Sequence, residues 1–70
     1  MSDHVYAITE VVGSSGTSIE DAIENAVTTA SESLRNLEWF EVSDTRGHIV
    51  DGKVAHYQVH VRFGFRYEKT

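Results

Sequence analysis

The alternation of apolar and polar residues is most regular in the last third of the chain. From Ala55 to Tyr67 every odd-numbered residue is apolar or aromatic, and from His56 to Arg66 every even-numbered residue is polar, charged or glycine. A period of two is typical of a β-strand, because successive side chains point to opposite faces of a sheet. The pattern predicts one long strand over Val54–Tyr67, whose apolar face needs a covering helix and whose edges need partner strands.

A shorter strand is predicted near the start of the chain, over His4–Val12, where β-branched and aromatic residues are concentrated. Residues 13–16 are glycine and serine only, which predicts a flexible connector. A phosphate bound at the start of the following helix is an alternative role for this segment, but the Gly-Lys-Ser/Thr ending of a P-loop is missing. A plain loop is therefore the favoured interpretation.

An amphipathic helix of about five turns is predicted after the connector. Thr17 and Glu20 have the spacing of a capping box, in which Thr17 is the N-cap. Asp21 near the start of this helix and Arg35 near its end suit the helix dipole. An apolar stripe at steps of three and four residues faces the strands and comprises Ile19, Ile23, Ala26, Val27, Ala30, Leu34 and Leu37.

A second strand is predicted directly after the helix, over Trp39–Val50, with Gly47 marking a bulge or a close backbone approach. Asp51-Gly52 favours a type I′ turn, so strands two and three form an antiparallel hairpin. A right-handed crossover then makes strands one and two parallel, with strand three antiparallel between them. The predicted fold class is α+β, a β-α-β-β protomer whose three-stranded antiparallel sheet packs on one helix.

Length and charge restrict the classes of function. Seventy residues form one small domain, 1–70, and the absence of cysteine excludes disulfides and thiolate metal sites. Oligomerisation is the remaining common source of stability, so we expect a homo-oligomer.

A net charge of -5 argues against nucleic acid as a partner. No apolar segment approaches the roughly 18 residues that span a bilayer, so we expect a soluble, cytoplasmic protein with no membrane partner.

Two side chains on the predicted open face of the sheet suit a flat ligand. Trp39 offers a π surface for stacking, and Gln58 offers an amide that both donates and accepts hydrogen bonds. The residue types alone allow a second interpretation of each position: Trp39 as an aromatic side chain in an ordinary protein–protein interface, and Gln58 as a polar side chain exposed to solvent. By the same reasoning Arg46 is a surface ion-pair partner of Asp44 or Glu41.

The two histidines of the third predicted strand suggest a metal site, but the distance between them along the strand does not support one. His56 and His60 are four residues apart, about 13 Å along a strand, so one ion cannot bind both. A site shared across a symmetry axis is the remaining alternative. No carboxylate is identified as a general acid or base, so we predict no catalytic and no metal-binding residues.

Several segments of the chain together form a recognisable pattern: Trp39-Phe40-Glu41-Val42, Arg46-Gly47-His48, Asp51-Gly52, residues 54–59 and Gly64-Phe65-Arg66. With these segments the sequence resembles the dodecins, small flavin-binding proteins, and the resemblance covers essentially the whole chain. It implies a hollow homododecamer of β-α-β-β protomers, with flavins stacked in pairs between tryptophans at two-fold interfaces. The family's role is described as flavin storage, buffering and photoprotection without catalysis.

The resemblance also implies the roles of individual residues. It places Trp39 against the isoalloxazine, Gln58 at the polar edge of the ring, and Arg46 near the ribityl or phosphate end. Arg46 favours FMN, with riboflavin and FAD as alternatives, and coenzyme A binding is associated with some bacterial members. A flavin-dependent enzyme and a ligand-free oligomeric scaffold are the competing functions. Stacked flavins leave no ring face for a substrate, and a scaffold does not require both Trp39 and Gln58.

Overall fold

A computed structural model describes residues 4–67 of the chain. The elements follow in the order β1 (Tyr6–Ser15), α1 (Ile19–Ser33), β2 (Leu37–Val50) and β3 (Lys53–Arg66). β3 lies between β1 and β2 and is antiparallel to both. The predicted β-α-β-β fold is confirmed, and so is the position of the long third strand in the middle of the sheet.

The core lies between the helix and the central strand. The buried residues of the helix are alanines, so the helix can lie close to the sheet. The larger buried side chains of β3 fill the space between the helix and the sheet. Leu34, directly after α1, and Leu37, the first residue of β2, pack against the border of this core. The buried apolar side chains are Ala22, Ala26 and Ala30 of α1 and Val59, Val61 and Phe63 of β3.

The helix lies directly against β1 at Gly13. A Cβ atom at this position would overlap the carbonyl oxygen of Ala22 and lie 2.9 Å from the Cβ of Ala26. Gly13 also pairs with Val59, so β1 continues to Ser15. The prediction of a flexible connector was therefore wrong for residues 13–15, because glycine serves there to let the helix contact the strand.

The N-cap of the helix is Ser18, and the prediction of Thr17 was wrong. The Ser18 hydroxyl accepts a hydrogen bond of 3.0 Å from the Asp21 backbone N–H. Ser15, which is buried, accepts a bond of 2.9 Å from the Thr17 backbone N–H and donates one of 2.8 Å to the Asp21 carboxylate. These bonds fix the direction in which the chain leaves β1 and enters α1.

The helix ends at Ser33, about four turns after its start, so the predicted five turns were too many. Leu34 already has extended backbone angles, and Asn36 has a φ of 64°, which turns the chain toward the sheet. Leu37 belongs to β2, and Arg35 lies beyond the last helical turn. Within residues 4–67 the helix falls short of the length and hydrophobicity that crossing a membrane requires.

The β2–β3 hairpin has the predicted type I′ turn, with φ angles of 53° at Asp51 and 74° at Gly52. A Cβ atom at Gly47 would lie 3.2 Å from the carbonyl oxygen of His56, so of the two alternatives predicted there, a bulge or a close backbone approach, the structure has the close approach. β2 shifts register against β3 three times, between residues 37 and 39, 42 and 44, and 48 and 49. The shifts change which side chains of the two strands lie opposite one another.

Candidate functional site

One face of the sheet is covered by the helix, and the opposite face, called the free face below, carries the candidate site residues. It is formed by the even-numbered residues of β3, from His56 to Arg66, and by their register partners on β1 and β2. The odd-numbered Val59 and Val61 are buried on the helix side. Trp39 and Gln58 therefore project away from the helix, as their strand positions predict.

The indole of Trp39 lies at one end of the free face, against Gly64. The two residues are register partners, and a Cβ atom at Gly64 would overlap three atoms of the six-membered ring of the indole. Tyr6 of β1 contacts the same indole edge-on, with ring centroids 5.1 Å apart and an interplanar angle of 60°. Because Trp39 is still 41% exposed, it keeps open surface on which a planar ligand can stack.

A polar group occupies the other end of the free face. Gln58 pairs with Arg46 of β2 on one side and with Ser14 of β1 on the other. Within residues 4–67 Arg46 forms no ion pair, so the alternative pairing with Asp44 or Glu41 is not observed. An amide beside a free guanidinium suits a ligand that has a polar ring edge and an anionic group.

The two ends of the free face are far apart within one chain. Trp39 pairs with Gly64, which lies six positions along β3 from Gln58 (64 − 58 = 6), or about 20 Å at the spacing of a strand. This distance exceeds the length of a tricyclic ring system. Arg46 and Gln58 are brought together, but a site that contains Trp39 and Gln58 has to draw them from two copies of the chain.

Charged residues lie between these two ends. The Glu10 carboxylate lies 3.3 Å from Nε2 of His60 and 3.4 Å from Nε of Arg62. Each pair is partly exposed to solvent and contributes about 1 kcal/mol or less. Within residues 4–67 no three histidine, aspartate or glutamate side chains lie close enough together to hold one metal ion between them.

Apolar side chains are also exposed where β2 and β3 extend beyond β1. β1 pairs with β3 only as far as Ser15, opposite Tyr57, so the rest of the hairpin is a two-stranded arm. Ile49 is 72% exposed on this arm, and Val54 is exposed beside it. Apolar surface of this kind, on a strand whose outer edge has no partner among residues 4–67, suits contacts between copies of the chain.

Sequence reasoning missed Gly64 and Tyr6, the two residues that hold the Trp39 indole. For Gly64 a signal was present, because a glycine within a strand often marks a close approach of another group. Tyr6 gave no comparable signal. Its position beside the indole depends on the pairing of β1 with β3, where Tyr6 lies opposite Arg66, 60 residues later (66 − 6 = 60).

Comparison with known proteins gives one consistent family. The sequence model of the dodecin family matches residues 5–68. A dodecin of Thermus thermophilus is 46% identical over 66 residues, which is 94% of this chain and 96% of that protein. The structure of dodecin from Streptomyces coelicolor superposes with a TM-score of 0.94 at 54% identity, over 100% of both chains. A calcium-chelating dodecin of Mycobacterium tuberculosis superposes with a TM-score of 0.79 at 25% identity, over 94% of both chains.

Proposed function

This chain belongs to the dodecin family, and we propose that it binds flavin, preferably FMN, as a store and not as the cofactor of a reaction. The observation that carries the proposal is the Trp39 indole, which rests against Gly64 on one side and keeps open surface on the uncovered face of the sheet. Isoalloxazine is a flat, electron-poor ring system, for which an electron-rich indole is a suitable stacking partner.

We place the flavin between copies of the chain in a homododecamer. The separation of about 20 Å between Trp39 and Gln58 supports this arrangement, because a single protomer cannot present both residues to one ring. A two-fold axis would bring the Trp39 end of one protomer near the Trp39 end of another, so that flavins stack between two indoles. The exposed apolar arm and the free outer edge of β2 supply surface for such contacts.

FMN is the flavin that the polar end of the free face favours. Gln58 can donate to and accept from the ring edge, and Arg46 stands directly beside it without an ion-pair partner within residues 4–67. A guanidinium forms charge-assisted, often bidentate hydrogen bonds with a phosphate. Riboflavin lacks that phosphate, so it forgoes the contact, and FAD carries a further nucleotide for which we assign no residues.

Storage is favoured over catalysis because stacking covers the ring faces. An enzyme would need one face of the isoalloxazine free for substrate, with a positioned acid or base beside it. Stacking on an indole also allows electron transfer from tryptophan to the excited flavin, followed by rapid return of the electron. Both partners are regenerated, so the bound flavin is dark and protected from photochemistry.

A ligand-free scaffold, and calcium chelation like that of the Mycobacterium tuberculosis relative, have less support. A ligand-free scaffold would not require an indole that lies against Gly64 and keeps exposed surface next to the exposed Tyr6. Calcium chelation needs several oxygen ligands around one ion, and residues 4–67 of this chain contain no such group of carboxylates.

The test is to isolate the full-length protein from cells and record its absorbance spectrum, with light scattering for its mass. We expect a flavin spectrum and the mass of a dodecamer. Heat release of the ligand, followed by chromatography against FMN, riboflavin, FAD and coenzyme A, identifies what is bound. A colourless protein that also fails to bind added FMN would overturn the proposal, and a monomer or dimer would overturn the assembly.

A further inference from the structure

The free face carries a pair of metal-ligating side chains that the proposed flavin site does not use. His48 of β2 and His56 of β3 lie directly opposite each other near the hairpin turn, with ring centroids 5.3 Å apart and an interplanar angle of 15°. We infer that His48 and His56 form a two-histidine binding site for a divalent transition-metal ion of the zinc type.

A β-bulge brings these two histidines together. From the Asp51-Gly52 turn, an unbroken ladder pairs Ile49 with Val54 and would next place His48 opposite Ala55. The register instead shifts between His48 and Ile49, and His48 lies opposite His56. The extra residue of the bulge therefore turns two separated imidazoles into a cross-strand pair, as bulges near functional sites often re-aim side chains.

The separation of the rings fits a shared ion. In a zinc site the metal lies about 2.0–2.1 Å from each imidazole nitrogen, and thus about 3.2 Å from each ring centroid. At a tetrahedral angle, two rings on one ion then have centroids about 5.2 Å apart, close to the 5.3 Å observed. The rings are now nearly parallel, so each must rotate about its terminal torsion, which is a soft degree of freedom, while the backbone stays in place.

Both imidazoles are available to an ion. Within residues 4–67 neither ring takes part in a hydrogen bond or an ion pair, whereas His60 on the same face is held by Glu10. His48 is exposed and His56 is partly exposed, so water can complete the coordination shell. The net charge of -5 attracts cations to the chain, although Arg46, two residues from His48, opposes the approach of a cation and lowers the affinity.

The chemistry of the ligands selects the class of metal. Neutral imidazole nitrogen suits zinc, copper and nickel, whereas calcium and magnesium require oxygen ligands. The site therefore differs in kind from the calcium chelation found in the dodecin of Mycobacterium tuberculosis. The proposed metal site does not depend on flavin binding, because neither histidine is needed for the stacking or the hydrogen bonds proposed for the flavin.

The experiment is calorimetric titration of the full-length protein with zinc chloride, using His4→Gln as the starting variant so that this further histidine contributes no zinc binding to the measurement. Added to that background, His48→Gln or His56→Gln should weaken zinc binding about tenfold or more, the order of loss seen when support for a metal ligand is removed. His60→Gln is the matched control, since it removes a histidine from the same face, and it should leave the affinity unchanged. Calcium chloride should give no binding heat that depends on His48 or His56.

The inference is overturned if zinc binds the His48→Gln and His56→Gln variants as tightly as the background protein, or if His60→Gln causes an equal loss. Each variant is checked for unchanged size by light scattering, so that a loss of zinc binding is not confused with a loss of assembly. Flavin binding by the His48→Gln and His56→Gln variants is measured in parallel. Retained FMN affinity together with lost zinc affinity separates this site from the proposed flavin site.

Discussion

The six-membered ring of the Trp39 indole lies against Gly64, on the face of the sheet that the helix leaves uncovered. The missing side chain at Gly64 is what allows this contact, because any Cβ atom there would occupy the space of the ring. The Tyr6 ring makes a T-shaped contact with the same indole. The orientation of Trp39 is thus set before any ligand arrives, which limits the entropy that ligand binding has to offset.

Replacing Gly64 with alanine should displace the indole and weaken flavin binding. Loss of a stacking contact worth about 0.5–1.5 kcal/mol corresponds to roughly a two- to tenfold higher dissociation constant. Near-ultraviolet circular dichroism should change even without flavin, because the surroundings of Trp39 change. Gly16→Ala is the control, since a Cβ atom at Gly16 would meet nothing within 4 Å. Equal behaviour of the two variants would contradict the role assigned to Gly64.

Replacing Trp39 with alanine should weaken flavin binding and restore the fluorescence of whatever flavin remains bound. The reason is that the variant removes both the stacking surface and the electron donor that quenches the excited ring. The measurement is titration of flavin emission with wild type and Trp39→Ala, followed by irradiation of each complex at saturation. Bright emission from the saturated wild-type complex would contradict the protective role and favour an enzyme.

Replacing Arg46 with alanine should weaken binding of FMN more than binding of riboflavin. Only FMN carries a phosphate that can accept charge-assisted hydrogen bonds, worth about 1.5–3 kcal/mol in typical cases. Arg35→Ala is a matched control, because it removes the same charge from an exposed position outside the sheet. An equal loss for both ligands would assign Arg46 to the structure of the hairpin.

Replacing Gly13 with alanine should destabilise the protein by about 1–3 kcal/mol, because overpacking at a close contact forces the helix away from β1. The new methyl group would overlap the Ala22 carbonyl oxygen and press on Ala26. Urea unfolding at fixed protein concentration measures the difference. The same substitution at Gly16 should be neutral or slightly stabilising, since it only restricts the unfolded chain.

Replacing Ser18 with alanine should cost about 1 kcal/mol of stability, the usual contribution of an N-cap side chain. Thr17→Ala should cost much less, because the Ser18 hydroxyl and not that of Thr17 accepts the hydrogen bond from Asp21. Thermal melts of the two variants at one concentration compare them directly. A larger loss of stability for Thr17→Ala than for Ser18→Ala would mean that Thr17 is the N-cap.

Features that depend on local chemistry could be predicted from the sequence. The alternation of β3 identified its buried face, since the buried apolar side chains of this strand, Val59, Val61 and Phe63, are all at odd-numbered positions. Asp51-Gly52 identified the turn, because few other residue pairs adopt two positive φ angles. Together with the handedness rule for crossovers, these signals were sufficient to place β3 in the middle of the sheet.

Features that depend on contacts between distant segments could not be predicted. The glycine and serines around Gly13 predict a loop when only the local sequence is considered. The need for a glycine in this part of β1 becomes clear only from the helix that packs against it. The pairing of His48 with His56 depends on a bulge, which the alternation on either side does not reveal. The helix ends before Leu34 because the chain must turn toward the sheet, although the apolar stripe continues in sequence to Leu37.

The placement of β3 between β1 and β2 also determines the order in which the molecule can form. β2 and β3 are joined by a two-residue turn, so their hairpin can close as soon as both have been synthesised. β1 has to wait, because Tyr6 pairs with Arg66 of β3, which follows the other three elements along the chain. Until then the first strand and the helix have no sheet to pack on. The nascent chain therefore exposes its apolar helix stripe until β3 has been synthesised, and high sequence separation of this kind slows folding.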